Sequence, residues 1–220
     1  MIELLLTIAS ILVPAAGCFA LYRYFVTRAR RRLAARAAAA VELGWDFGDP
    51  DLELAAVAVD IFGHHGEAHV TFTGKHNGHS FRLFDYTYLT RSGKATRINK
   101  VHMVVVELPV ALPRLVVDKD QPILRTLGVP DLELESNAFN KNFWVQGPDD
   151  RFSSAVLHPQ MMEWMLTYPD ITWRIENHLL ISPGRGYWTI LQALEDLDCL
   201  TGVVDRLPPF VLADYGKPID

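Results

Sequence analysis

Cysteine is scarce in this chain: Cys18 and Cys199 are the only two in 220 residues, which excludes a disulfide-built scaffold. An excess of positive charge is also missing. The 21 Lys and Arg residues stand against 26 Asp and Glu, a net of −5, which excludes a generic nucleic-acid binder. Neither an HExxH helix, nor a G-x-S-x-G elbow, nor a Walker phosphate loop occurs, so the common zinc-protease, hydrolase and nucleotide signatures are absent. There is no internal repeat, and no low-complexity tract beyond an alanine-rich stretch after Arg32. What is present is a globular composition: half the residues are hydrophobic and 21% are charged, which excludes a disordered tail. The length predicts one main domain plus an appendage.

The average charge conceals a split. Residues 1–36 carry six arginines (Arg23, Arg28, Arg30, Arg31, Arg32, Arg36) and a single acid, Glu3. The remaining 37–220 therefore hold 15 basic and 25 acidic residues, a net of −10. A basic end on an acidic body points to contact with a membrane or polyanion at that end.

From Leu4 to Tyr22 no residue is charged. As a helix this run is roughly 28 Å long, close to the thickness of a bilayer core. Phe25 and Val26 extend it, Tyr22 and Tyr24 suit the headgroup boundary, and Pro14 is tolerated in a membrane helix. We therefore expect a transmembrane anchor over residues 1–26, in the bilayer through 4–26. A buried soluble helix would be unusually long for so apolar a segment. A cleaved signal peptide would carry its positive charge before the apolar run, whereas here the charge follows it. Ala15-Ala16-Gly17-Cys18 is similar to a bacterial lipobox, but Ala15 stands where Leu is usual and no basic leader precedes it. With the arginines C-terminal to the span, the positive-inside rule puts the body in the cytoplasm, at the plasma membrane.

Residues 27–44 read as a basic helical stalk rich in Ala, Arg and Leu, stopping at Gly44. Its arginines suit anionic headgroups. With no aromatic platform between them they do not suit RNA. Residues 45–220 read as an acidic α+β domain. Asp49-Pro50-Asp51 predicts a helix start with Asp as N-cap, and Gly63 its end. Strands are predicted at His69–Thr73, Ser80–Thr90 and Arg97–Leu108, with an Asn77-Gly78 hairpin turn and a second turn at Arg91–Lys94. Leu112–Val117 reads as a fourth strand, placed at an edge by Pro113. A short helix is expected at Gln121–Leu127, a strand at Asn142–Gln146, and helices from Asp149 to Leu157 and Pro159 to Leu166. Ile171–Ile175 and Leu179–Ser182 read as a hairpin around Asn177, and Gly184-Arg185-Gly186 as a loop. The last helix is predicted over Tyr187–Leu207 and ends at Pro208-Pro209. Trp188, Leu191, Leu194, Leu197, Leu200 and Val204 form its apolar stripe, with Glu195, Asp196 and Asp198 outward. Meander order followed by helices gives an antiparallel α+β architecture, analogous at fold level to a pleckstrin-homology-like roll.

The run Glu135-Ser136-Asn137-Ala138-Phe139-Asn140, with Phe143 and Val145, then Asp149–Phe152 and Leu157-His158-Pro159 through Met165, resembles a family of uncharacterised, membrane-anchored actinobacterial proteins. The resemblance implies one N-terminal span, a basic flank and an α+β domain, and it brings no activity or cofactor. Physically, Phe139 and Phe143 read as anchors of a strand entry, and Met161, Met162, Trp164 and Met165 as core or groove side chains.

His64, His69 and His79, with His65, Glu67 and His76 beside them, form the metal-like cluster, since imidazoles near a carboxylate bind Zn²⁺ or Cu²⁺. His69 and His79 lie near the two ends of one predicted hairpin. No recognised ligand spacing accompanies them, so a solvated reading is preferred and no cofactor is expected. Ser153 and Ser154 follow a helix cap, Cys199 lacks an activating base, Asp149 and Asp150 are explained by capping, and His158 reads as a helix junction. No catalytic residue is assigned. The aromatics Phe81, Phe84, Tyr86 and Tyr88 alternate along one strand, and one of its faces is either a partner surface or covered by helices. The leading expectation is a cytoplasm-facing, membrane-anchored module that binds a protein partner. The alternatives are a metal-dependent membrane enzyme using residues 64–79, or an envelope-facing domain.

Overall fold

The computed structural model describes residues 2–93, 95–119, 132 and 134–219; within the first helix the side chains of 2–15, 18 and 29 lie outside the described residues. The chain divides into two units, Met1–Gly44 and Trp45–Asp220. The first is one helix, α1 (Ile2–Glu42), about 60 Å long at 1.5 Å per residue. It runs through Pro14 and Gly17, and Gly44, at φ 74°, stops it. Among the described residues no helix is long and apolar enough to cross a membrane. Most of the expected span has its side chains outside those residues, Leu4–Ala15 and Cys18.

The second unit is built on a six-stranded, wholly antiparallel sheet. Its strands are β1 (Asp46–Gly48), β2 (Gly66–His76), β3 (His79–Ser92), β4 (Ala95–Lys119), β5 (Phe143–Gln146) and β6 (Trp173–Arg185). They run in the order β1-β2-β3-β4-β5, with β6 also on β4. The helices are α2 (Leu52–Phe62), α3 (Asn137–Asn142), α4 (Asp150–Val156), α5 (Pro159–Met165), α6 (Ile190–Arg206) and α7 (Pro209–Tyr215). The α+β class and the antiparallel sheet agree with the sequence pattern.

The β2–β3 hairpin forms at the predicted dipeptide: Asn77 and Gly78 have φ of 49° and 86°, and His76 pairs with His79. Two positive φ values suit the twist of a tight hairpin, which is why Asn-Gly marks it. Elsewhere the prediction needs correction. Leu112–Val117 is not an edge strand but the far half of β4, flanked by β5 and β6. Pro113 falls between Leu112↔Asn177 and Leu115↔Ile175, where the register shifts and the ladder is already interrupted. The predicted 171–182 hairpin is a single strand, because both of its halves pair with β4. Asn177, at φ 60°, takes up the register shift, and the left-handed preference that mimics a turn serves a bulge here. Gly184 and Arg185 belong to that strand. The predicted helix at Gln121–Leu127 lies outside the described residues.

Helix α2 is capped by Asp51, not Asp49. The Asp51 carboxylate accepts from the Leu54 N–H at 3.1 Å, and its own N–H donates to Thr71 Oγ1. Leu54 and Ala58 then pack on one sheet face, against Phe84, Tyr86, Val101, Met103, Val105 and Ile181. The opposite face holds Phe72, Phe81 and Leu83 beneath Trp45, Trp188 and α6. Both faces of the aromatic strand are therefore covered, and Phe81, Phe84 and Tyr86 are core.

Thr189 caps α6, later than the predicted start, and Pro209 opens α7 rather than merely ending α6. The buried stripe of α6 runs through Ala193, Asp196, Leu197, Cys199, Leu200 and Val203, whereas Leu191 is 78% exposed. Small side chains at 193, 199 and 202 let the helix approach closely, so the contact stripe is shifted from the one that size alone suggests. Gly202 shows the constraint: a Cβ there would collide with the Trp164 indole. In the 135–166 run, Phe139 and Phe143 are buried at the entry to β5, ring centroids 4.8 Å apart, and Met161, Met162 and Met165 are core.

Candidate functional site

The described residues hold four polar regions. The first is the arginine flank of α1. Arg23, Arg28, Arg30, Arg31 and Arg32 are exposed, and Arg36 is half-buried. At about 100° per residue they point all around the helix rather than along one stripe. Arg28 Nη1 donates to the Tyr24 hydroxyl at 3.1 Å, so the cation sits beside an aromatic suited to a headgroup boundary. Phe19, Tyr22 and Phe25 on the same helix are each more than 60% exposed within this unit.

The second is the histidine segment. The structure does not bring its members together. His64 stacks on Tyr88, ring centroids 5.0 Å apart, and its carbonyl accepts from the Tyr86 hydroxyl. His69 lies in the register shift of β2, with Nε2 3.0 Å from Thr87 Oγ1. His79 is at the opposite end of that hairpin. There His76 Nε2 lies 2.7 Å from Asp198 Oδ1 and His79 Nε2 lies 2.8 Å from Asp205 Oδ1. Asn77 Nδ2 adds a donor to Thr201 Oγ1 at 3.1 Å. Asp198, Thr201 and Asp205 are three and four residues apart, hence on one face of α6. Two histidines and an asparagine thus clasp the hairpin tip onto that helix. Among the described residues no group of three or more His, Cys, Asp or Glu is arranged to hold a metal ion.

The third region sits at the N-terminus of α2. Arg82 Nη1 donates to Asp51 Oδ2 at 2.8 Å and to Glu53 Oε2 at 2.7 Å, and its Nε lies 3.4 Å from Glu107 Oε1. His178 Nε2 stands 3.5 Å from Glu53 Oε1. Burial pushes the Asp51 carboxyl upward, but the Arg82 guanidinium and the Leu54 and Glu53 N–H donors outweigh it and hold the group below its ordinary value. This cluster joins α2 to the sheet.

The fourth was not visible in the sequence. Asp85 and His102 face each other across β3 and β4 and are both buried. His102 Nδ1 lies 3.0 Å from the Gly186 carbonyl oxygen, and the ring covers Gly184 so closely that any Cβ there would collide with it. Their only sequence trace is a polar residue at the in-register position of each core strand. Asp196, read as outward, is buried on α6; burial, with Glu195 nearby, pushes its pKa up to about 7. Cys199 is a buried thiol whose pKa is pushed up to about 12 by burial, with the Asp196 and Glu195 charges adding to it, so it is no nucleophile at neutral pH. Ser153 Oγ donates to the Asp149 carbonyl inside α4, and His158 Nε2 contacts the Arg206 carbonyl.

No protein-family profile matches the chain, and no curated protein matches it. Among solved structures, the crystal structure of the mycobacterial trehalose monomycolate transport factor A, TtfA, is similar. The TM-score is 0.55 at 14% sequence identity, over 84% of this chain and 96% of that one. At that identity the likeness is one of fold: this chain shares the α+β architecture of a mycobacterial protein.

Proposed function

We propose that the chain is a single-pass, membrane-tethered accessory protein of the actinobacterial family it resembles. Its acidic α+β body binds a protein partner on the cytoplasmic side of the plasma membrane and performs no catalysis. The observation that carries this reading is the uncharged run from Leu4 to Tyr22 ending in an arginine cluster. Cations on every side of α1 support a helix passing through a headgroup layer, where each side meets phosphate; a helix lying on the surface needs them on one side. The name of the solved neighbour, a trehalose monomycolate transport factor, supports an accessory role in transport.

Two experiments test the reading. Full-length chain should sediment with membranes and resist extraction by high salt, and deletion of residues 1–26 should release it. A C-terminal fluorescent protein active only in the cytoplasm should be bright, and a C-terminal phosphatase active only outside should be silent. The reverse reporter pattern would put the body in the envelope and overturn the charge argument. A full-length chain found soluble would overturn the tether.

A further inference from the structure

Strands β3 and β4 stay paired beyond the rest of the sheet. They run together from Phe81↔Val106 out to Ser92↔Ala95, whereas β2 follows β3 only to Gly66↔Tyr88 and β6 follows β4 only to Val101↔Arg185. From Leu89↔Ile98 outward the two strands therefore form a ribbon without a neighbouring strand among the described residues. Such a ribbon has no core to bury, yet its outermost apolar pair is Leu89, 55% exposed, directly across from Ile98, 62% exposed.

Register places the rest of that face. Cross-strand partners share a face, and side chains repeat every second residue. Arg91 and Thr96 thus lie one row outside Leu89 and Ile98, and Thr87 and Lys100 one row inside. Tyr187 adjoins the inner row, its ring 4.8 Å from Lys100 Nζ. The result is an apolar pair between two cations, with a partly exposed tyrosine at its base. Arg97, paired with Thr90, is exposed on the other face. Among the described residues no carboxylate pairs with Arg91 or Arg97. From Tyr86 to Val106 the sequence contains no Asp or Glu, in a region 37–220 whose net charge is −10.

We propose that this β3–β4 ribbon is a second membrane contact, laying Leu89 and Ile98 into the headgroup boundary of an anionic lipid surface with Arg91 and Lys100 on the lipid phosphates. Charge selects the occupant. An acidic body is repelled by an anionic bilayer except where cations are in excess; on this face Arg91 and Lys100 outnumber Glu67, which pairs with Thr87 in the inner row, and a patch of apolar, cationic and tyrosine side chains matches the layered chemistry of that boundary. An acidic protein would satisfy the cations but leave the apolar pair without a matching layer. The inference rests on the tethered reading above, since tethering supplies the bilayer at high local concentration.

The test uses the full chain with Cys18→Ser and Thr96→Cys, labelled at residue 96 with an environment-sensitive fluorophore; Cys199 is buried. The chain is reconstituted into vesicles of phosphatidylcholine alone or with about a third phosphatidylglycerol, the anionic fraction on which headgroup attraction depends. We expect a blue shift and quenching by headgroup-labelled lipid only in the anionic vesicles. Salt near 1 M, where screening reaches about 3 Å, should reverse both. Arg91→Gln with Lys100→Gln should lower the docked-to-free ratio about 25-fold, from roughly fivefold per cation, and Leu89→Ser with Ile98→Ser should abolish quenching. In all these variants co-sedimentation of the chain with vesicles should persist. A label that stays aqueous in anionic vesicles while the chain sediments overturns the ribbon contact and leaves the tether standing. Failure to sediment with neutral vesicles overturns the tether separately. Equal quenching in neutral and anionic vesicles overturns the charge argument. Shielding in native membranes but not in anionic lipid assigns the ribbon to a protein and overturns the lipid proposal.

Discussion

Two hairpins of one sheet end in opposite ways. The β2–β3 tip turns at Asn77-Gly78 and is held on α6, with His76, Asn77 and His79 against Asp198, Thr201 and Asp205. The β3–β4 tip turns around Gly93, extends past its neighbours and carries cations that meet no carboxylate among the described residues. Both share β3, and both use a left-handed glycine in the turn. The difference lies in what the tertiary structure sets opposite each tip. A side chain that meets carboxylates within the domain is part of its architecture, whereas a cation facing none is available to something outside it.

The largest expected effect tests the architectural side. Arg82→Leu leaves Asp51, Glu53 and Glu107 facing one another without their cation, and should destabilise the body by roughly 3 kcal/mol in urea unfolding. If the loss stays under half a kcal/mol, Arg82 belongs with the available cations instead.

A comparable effect of opposite sign is expected on α6, the helix that receives the clasp. Unfolded, the Asp196 carboxyl titrates near its ordinary 3.8; folded, it titrates at about 7. Between those values the folded protein holds a proton that the unfolded chain has released, so stability falls as pH rises through this window. Above pH 7 the loss is complete. Asp196→Asn should therefore stabilise by roughly 2–3 kcal/mol at pH 8 and by little near pH 4, read as the pH dependence of the unfolding midpoint. A variant equally stable at both pH values would mean that Asp196 is solvated.

Turn substitutions sharpen the contrast directly. Asn77→Ala removes a residue adapted to positive φ together with its bonds to α6, at a cost of roughly 2 kcal/mol. Gly93→Ala meets only backbone strain, since nothing lies within 4 Å of the new Cβ, at roughly 1 kcal/mol. Thermal melts of the two variants should rank in that order; the reverse would show that the clasp contributes nothing.

The smallest effects separate the tips by charge. Asp198→Asn and Asp205→Asn should each cost up to about 1 kcal/mol, as exposed pairs do. Arg91→Gln and Arg97→Gln should stay within about 0.5 kcal/mol of the parent chain. Destabilisation by the arginine changes beyond that of the aspartate changes would remove the distinction between the two tips.

Local signals were legible wherever one short stretch carried the whole constraint. Asn77-Gly78 specified its hairpin, Asp149 capped α4, Pro159 opened α5 and Gly63 closed α2, because turn and cap chemistry acts within four residues. The misreadings share one cause. Asn177 looked like a turn and Pro113 like an edge, yet both lie at bulges of strands that pair along their length with a distant partner. Asp196 is buried and Leu191 exposed on α6, the reverse of what residue type suggests, because type does not reveal which helix face fits the sheet closely. The candidate sites divide in the same way. The arginine flank is contiguous, so its clustering needs no fold. The histidines are close in sequence but scattered by the length of β2.

By itself, the sequence determined the basic, uncharged-core N-terminal helix, the acidic body, the meander order and the caps, since these follow from composition and from interactions within a turn or two. The tertiary structure decided that Asp85 lies across from His102, that Asp198 and Asp205 receive the β2–β3 tip, and that Leu89, Ile98, Arg91 and Arg97 are left projecting past the last neighbouring strands. The physical reason is that register and strand ends are set by pairings between residues tens of positions apart, and whether a cation is paired or free depends on which carboxylate those pairings bring to it.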